Sequence, residues 1–522
     1  MIANSFADIE DTRWDAIIIG TGIGGGVAGR ALAEAGMKVL FVEKGRAGFR
    51  AEETPLDPGL IDPVAREVRG FWPDRIRANV NGTEQEVFAP LGAGIGGSSV
   101  FYAATLERPE RHDLDEVPGR PHPTGGWPVA FDEMLPWFDA AQRLFHIHGE
   151  SDPLCDTPSP ELAPPHPPSS GDARIMDVLR RNGLHPYLLH SALRRLPGCR
   201  DCLGHKCPMP CKMDGRSAGV EPALATGNAA RLTGCTVTRL IRQADGGVTV
   251  EARLAGETRA IWARHVVLAA GALNSPRLLM ASRSAADPDG IGNGAGLVGR
   301  NLMFHLNEIF ALWPGKAAGF AGPTKSVGFR DLYFADGQRL GMVQAMGVDV
   351  GYGEIVHHLR GRVGRSWLRH VPGARDATRI PAAIGAKLMG TAKVFVGLLE
   401  DLPYAENRVL PEDAGIALDY RTAPELLARR KAFRRHIRRA FRGTRTAFLT
   451  QEPEPNFGHP CGTLRMGVDV GKSVVNSAGR VHGVTNLWVT DASVFPTSMG
   501  VNPSLTIAAN ALRVAAEIRR AR

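Results

Sequence analysis

One short stretch, residues 15–43, constrains the chain more than any other. Residues 15–19 are an apolar run that breaks into Gly20-Thr21-Gly22-Ile23-Gly24-Gly25-Gly26. A helical pattern follows through Ala35, and residues 38–42 are apolar again and end in Glu43. Strand, glycine turn, helix and strand in that order make a βαβ unit with a parallel pair. The glycines of Gly20-x-Gly22-x-x-Gly25 do different things. Gly20 permits the tight turn, Gly22 lets the backbone approach a pyrophosphate, and Gly25 allows helix and strand to pack closely. The helix N-terminus adds amide donors and the positive end of a dipole. Glu43 is placed to accept hydrogen bonds from an adenosine ribose, and an acidic residue there favours FAD or NAD over NADP. The motif alone does not choose between those two.

A second glycine-rich stretch, residues 91–99, leads into an apolar run at 100–104, and residues 152–170 are dense in Pro and Ser, marking an irregular connection. Short strands are predicted at 236–240, 248–254 and 265–270, the first two joined by an Asp245-Gly246-Gly247 hairpin turn. Residues 306–313, 341–348 and 394–399 read as strands of another sheet, capped by a basic helix. In that helix, within residues 429–445, Phe433, Ile437 and Phe441 recur every fourth position among arginines, which describes an amphipathic surface element. After residue 456 come further glycine turns, a strand at 486–490 and a closing helix at about 506–520. No internal repeat is present.

At 522 residues the chain is long enough for two to four units, and 43% hydrophobic with 22% charged residues is ordinary globular composition. The formal charge of +8 comes from arginines spread along the chain, without a basic tail or recognition motif, so no nucleic-acid partner is expected. Residues 1–14 carry acidic side chains and no apolar run, unlike a signal peptide, and no stretch reaches membrane-spanning length. The expected compartment is the cytoplasm, where stable disulfides are uncommon.

The far end carries Gly458-His459-Pro460-Cys461-Gly462-Thr463-Leu464-Arg465-Met466-Gly467, then Asn486-Leu487-Trp488-Val489-Thr490-Asp491-Ala492-Ser493, then Gly500-Val501-Asn502-Pro503-Ser504. This closely resembles the C-terminal signature of the glucose-methanol-choline oxidoreductases. Further matches are residues 92–99 before Glu107-Arg108-Pro109, Ala269-Ala270-Gly271-Ala272 with Ser275-Pro276, and Gly299-Arg300-Asn301-Leu302. Together they span nearly the whole chain. The resemblance implies an α/β fold in which a Rossmann-like FAD-binding domain is built from residues 1–150, 231–305 and 456–522. It also implies a discontinuous arrangement, with a connection and cysteine-rich loop at 151–230 and a sheet-based substrate domain at 306–455.

The same resemblance implies FAD as cofactor and oxidation of an alcohol by hydride transfer to the flavin. Gly20, Gly22, Gly25 and Glu43 resemble the adenosine and pyrophosphate contacts, and Val237 resembles the position that meets the adenine through its backbone. Gly97, Ser98 and Ser99 resemble the loop beside the flavin; Gly271 belongs to a matched segment, and Asp491 resembles an acidic residue near the ribityl and pyrophosphate. His459 is expected to act as general base, because a neutral imidazole accepts a proton at physiological pH. Asn502 is expected to orient the alcohol beside the flavin, since an amide holds oxygen without competing for the proton. His482 looks like a turn residue and is given no role.

Tyr102, preceded by Phe101, stands where many relatives place Asn near the flavin, so a different pocket wall is expected. The Phe101-Tyr102 pair resembles sugar-oxidising branches, which implies a sugar, aminosugar or cyclitol hydroxyl as the small-molecule substrate. The His-Pro and Asn-Pro contexts resemble cholesterol oxidase, which implies a bulky sterol as the alternative. Dehydrogenase and oxidase stay open, with oxygen, a quinone or a redox protein as acceptor. An NAD-linked alcohol dehydrogenase would share the first glycine motif without the C-terminal signature, and a flavin protein that only transfers electrons would not need His459 and Asn502.

Cys199, Cys202, Cys207 and Cys211 crowd into one loop. Paired disulfides suit secretion, zinc favours two pairs separated by a longer loop, and free thiols are a third reading. The spacing resembles the cysteine-rich segment of FAD glucose dehydrogenases, which implies an iron–sulfur cluster and an electron exit from the reduced flavin.

Overall fold

The apolar runs on either side of the first glycine turn become neighbouring parallel strands. Trp14–Ile19 pairs with Val39–Glu43 on one side and with Ala263–Leu268 on the other. Ile17, Ile18, Val39 and Leu40 are fully buried, as befits strands covered on both faces. The computed structural model describes residues 1–48, 50, 63–314, 325–347, 355, 356, 359, 360, 363, 366–390, 392–412 and 415–521. Its parallel sheet has the order Ile2–Ala3, Ala229–Thr233, Val39–Glu43, Trp14–Ile19, Ala263–Leu268, Leu487–Val489. The chain leaves Trp14–Ile19 toward both edges, so a crevice opens there at the carboxyl ends of the strands. The first glycine turn, Glu43 and residues 269–271 all follow strands at that end.

The turn enters the helix Ile23–Glu34, which packs on the first two long strands and against the closing helix Ser504–Arg520. Gly20 has a φ of +95°, and a Cβ on it would meet the Ala269 carbonyl oxygen at 2.5 Å. A side chain at Gly25 would be driven into the carbonyl oxygen of Gly20, so the helix approaches the sheet this closely only with glycine there.

The second six-stranded sheet is antiparallel and runs Arg445–Phe448, Leu306–Trp313, Lys393–Leu399, Val343–Ala345, Val327–Phe329, Tyr187–Leu188. Along Lys393–Leu399 the side chains alternate: Phe395 and Leu399 join an apolar cluster with Phe433, Ile437 and Phe441, whereas Val396 and Leu398 line the central cavity. The arginine-rich segment expected as one helix through residue 445 is the helix Pro424–Ala440, capped at Phe441, after which Arg445 opens the strand Arg445–Phe448; the apolar stripe of Phe433, Ile437 and Phe441 lies on this sheet. Several of its arginines knit the helix to the fold. Arg430 and Arg434 pair with the buried Glu308, and Arg429 donates to the carbonyls of Arg339 and Glu400.

The strand expected at 341–348 is confined to Val343–Ala345, and Val348 lies outside the described residues. Tyr187–Leu188 closes the second sheet although it falls in the stretch expected to be a connection, and Ala229–Thr233, which enters the parallel sheet, straddles the end of that stretch at residue 230. Among the described residues no helix is long and apolar enough to cross a membrane.

Candidate active site

A cavity of about 560 Å³ runs from the glycine turns of the parallel sheet to the inner face of the second sheet. Gly20, Gly22, Glu43, Gly97, Ser98, Ser99, Tyr102, Val237, Gly271, Asp491, His459 and Asn502 all line it. Gly25 does not; its place is the packing of helix against strand.

At the dinucleotide end, Gly22 caps the helix Ile23–Glu34 in an extended conformation without a side-chain cap, and a Cβ there would meet nothing within 4 Å. Among the described residues no side chain caps this helix, so its first-turn amides are left available at the cavity. Gly271, with φ +84°, opens on empty space in the same way. Glu43 is buried, and its carboxylate is fully engaged: Oε2 accepts from the Thr21 amide and hydroxyl at 3.1 and 2.6 Å, Oε1 from the Gly45 and Gly94 amides at 3.0 and 3.1 Å. Burial pushes its pKa up against these four bonds. Glu43 thus ties the first glycine turn to the second glycine loop, and a ribose hydroxyl would share an oxygen already bonded.

The hydroxyls of the second loop serve the loop itself. Ser98 Oγ accepts from the Gly92 amide at 2.8 Å, while Ser99 Oγ donates to the Gly96 carbonyl at 2.6 Å and accepts from the Gly215 amide at 2.9 Å. Tyr102 donates its phenol to the Met213 carbonyl, and its own carbonyl accepts from Lys212 Nζ at 3.3 Å. Val237 sits where the strand Cys235–Arg242 slips register, which frees backbone groups at the cavity wall. Asp491 accepts from the Gly271 amide at 2.8 Å, the Ser275 hydroxyl at 2.5 Å and the Ser493 amide at 2.9 Å, and burial raises its pKa.

At the other end two imidazoles meet. His459 Nδ1 lies 3.1 Å from Nδ1 of His305, and His305 Nε2 lies 2.9 Å from the Met499 carbonyl oxygen. A carbonyl only accepts, so His305 carries its proton on Nε2. Burial holds the His305 pKa down to about 4, so the ring is neutral and its Nδ1 is an acceptor. His459 must then donate from Nδ1, which leaves a lone pair on its Nε2. Burial, with smaller contributions from His305 and Lys325, holds His459 well below its ordinary pKa. The loop that presents it is tied down, because Asn456 accepts from the His459 amide at 2.9 Å and donates its own amide to the His305 carbonyl at 2.8 Å. Met499 has a φ of +62°, a left-handed conformation uncommon outside glycine.

Asn502 Oδ1 accepts from Gln344 Nε2 at 3.0 Å, which commits its oxygen and leaves its amide hydrogens as donors. His305, Gln344 and Lys325 escaped the sequence reading. His305 had one available signal, its position just after the matched Gly299-Arg300-Asn301-Leu302 segment.

Comparison with known proteins decides the family. The GMC oxidoreductase family pattern matches residues 186–307 and 409–511. The 6'''-hydroxyparomomycin C oxidase of Streptomyces lividus is 30% identical, over 97% of this chain and 92% of that one. The chain is a GMC oxidoreductase. The paromamine 6'-oxidase of Streptomyces fradiae is 29% identical, over 97% of this chain and 91% of its own. Among solved structures, pyridoxine 4-oxidase from Mesorbium loti matches with a TM-score of 0.64 at 20% identity, covering 97% of this chain and 99% of its own. A formate oxidase gives 0.65 at 17%, with 98% of each chain covered. These likenesses confirm the α/β fold with its Rossmann-like domain. GMC oxidoreductases are flavoproteins that bind FAD and act on CH–OH groups.

The cysteine loop of this GMC oxidoreductase departs from expectation. The Cys199 and Cys211 sulfurs lie 3.0 Å apart, Cys207 bonds to both Cys202 and Cys211, and all four are free thiols. Hydrogen bonds from its neighbours hold the Cys207 pKa down while those of Cys202 and Cys211 rise. Among the described residues no group of three or more His, Cys, Asp or Glu is arranged to hold a metal ion. The iron–sulfur cluster is thus unsupported, and in place of disulfides the four free thiols form one chain of sulfur contacts, Cys202 to Cys207 to Cys211 to Cys199. Lys212 fastens this loop to the site, donating to the Cys202 and His205 carbonyls at 2.7 and 2.5 Å and to Tyr102.

Proposed function

We propose that this enzyme oxidises a sugar-type alcohol with FAD as hydride acceptor and His459 as the base. The observation that carries the reading is the fixed tautomer of the histidine pair, which turns an unprotonated Nε2 toward chemistry in a cavity that also holds Asn502. The residues fit the cofactor: open space beside Gly22 and Gly271, uncapped amides at the helix N-terminus, and a cavity continuing to the second sheet. When bound there, FAD supplies the hydride acceptor. His459 takes the hydroxyl proton on Nε2, and the developing imidazolium is held by its Nδ1–H bond to His305. Asn502 donates an amide hydrogen to the substrate oxygen, its own oxygen being anchored by Gln344. With the base neutral through physiological pH, no proton has to be removed from His459 before turnover.

Asn307, Gln344, Asn456 and Asn502 give the substrate end amide groups suited to several hydroxyls, which favours a sugar, aminosugar or cyclitol over a sterol. Two relatives named for paromamine and 6'''-hydroxyparomomycin C support the same class. The test is anaerobic mixing of the purified protein with a panel of polyols, aminosugars, cyclitols and sterols while flavin absorbance is followed. Bleaching by hydroxyl-rich alcohols is expected. A flavin reduced by none of them would make this an electron-transfer protein, and reduction by sterols alone would reverse the substrate class.

A further inference from the structure

Among the described residues five charged side chains line the cavity, and four of them, Glu43, Lys44, Arg277 and Asp491, belong to the dinucleotide half. The fifth, Lys325, stands at the substrate end. It precedes the strand Val327–Phe329, whose neighbour Val343–Ala345 carries Gln344, the anchor of Asn502. A Cβ built on Gly347 would stand 2.4 Å from the Lys325 Cβ and 2.6 Å from Leu203 Cδ1, so the lysine leaves the backbone packed against Gly347.

Among the described residues the Lys325 ammonium has no hydrogen-bond or ion-pair partner. The carboxylate that acts on it is Glu107, which is already committed to Arg330 at 2.8 Å, to the Tyr187 hydroxyl at 2.9 Å and to the His190 amide at 2.9 Å. Burial pulls the Lys325 pKa down to about 8, the mark of a charge held without full compensation. Lys325 is half-buried where it lines the cavity, and an ammonium drawn partly out of water there is stabilised when an anion meets it. The amides of Asn307, Gln344, Asn456 and Asn502 line the same cavity and suit hydroxyls.

We propose that Lys325 sets the charge class of the substrate: the site takes a hydroxyl-rich alcohol that carries a carboxylate, a sugar acid, and holds that carboxylate on the Lys325 ammonium while the reacting hydroxyl lies at His459. This rests on the cavity being the alcohol site, and it narrows that reading by excluding sugars whose charge is an ammonium. The test is binding to the oxidised holoenzyme, read as perturbation of the flavin visible spectrum. The ligands are gluconate, sorbitol and glucamine, a matched acyclic series with anionic, neutral and cationic ends. Gluconate is expected to bind about tenfold more tightly than sorbitol, with glucamine weakest. Lys325→Met should bring gluconate to the level of sorbitol, and Lys325→Arg should keep the preference. Glucamine binding as tightly as gluconate, an unchanged preference in Lys325→Met, or no spectral response to gluconate overturns the proposal. Because the readout needs no turnover, a protein that prefers gluconate yet is reduced by no alcohol overturns the oxidation reading and leaves only the carboxylate contact of Lys325 standing.

Discussion

Two imidazoles that face each other through Nδ1 share one proton, and the Met499 carbonyl decides which ring supplies it. His305 is therefore a positioning residue: it touches no reacting atom, but it selects the tautomer in which His459 Nε2 is bare. In His305→Leu the Nδ1–H of His459 loses its acceptor, and flavin reduction is expected to slow by about 10- to 100-fold, the usual cost of removing such an orienting partner. The pH profile distinguishes this from general damage. A base works deprotonated, so activity is lost as pH falls through its pKa; because His459 is held below 6.5, the acid limb of kcat/KM in the parent enzyme should lie below that value. A limb at neutral or alkaline pH would contradict the burial of the pair. At this scale the sequence carried His459 and Asn502 through their motif. It did not carry His305, since a lone histidine among apolar neighbours reads as core until the fold brings His459 against it, nor Lys325, whose meaning depends on the cavity that it lines.

The glycine turn separates two roles that a motif merges. Gly22→Val should leave the fold intact, since no protein atom lies within 4 Å of the new Cβ, and should empty the dinucleotide site. Gly25→Val meets the Gly20 carbonyl, which cannot move away, and should destabilise the apoprotein by about 1–3 kcal/mol as overpacking does. Thermal melts of both apoproteins, with the ratio of flavin to protein absorbance, check the pair; equal melting losses in the two variants would refute the division. Long strands and amphipathic helices were legible because their periodicity is set by which face is buried: Leu306–Trp313 and the stripe of Phe433, Ile437 and Phe441 lie where the pattern put them. Ala229–Thr233 and Tyr187–Leu188 were not, because the first is a five-residue insertion between distant segments and the second a two-residue edge strand, both too short to display a period.

Across the whole molecule, the site exists because a discontinuous chain closes on itself. The parallel sheet takes strands from residue 2 to residue 489, and the second sheet presents Gln344, Val396 and Leu398 to the cavity floor that the C-terminal loops roof with His459 and Asn502. The C-terminal signature revealed the family, but not that Glu43 would spend its carboxylate on Thr21, Gly45 and Gly94, since those partners arrive from separate loops. Nor did it reveal that the four clustered cysteines form one chain of sulfur contacts. The account turns on His459 as the base in an otherwise complete flavin site, and the most direct measurement is anaerobic stopped-flow reduction of FAD-loaded His459→Ala beside the parent protein, with the same alcohol. The variant is expected to keep its FAD and to reduce it about 10² to 10⁴ times more slowly, the contribution of a positioned base; a reduction rate near that of the parent would contradict the assignment.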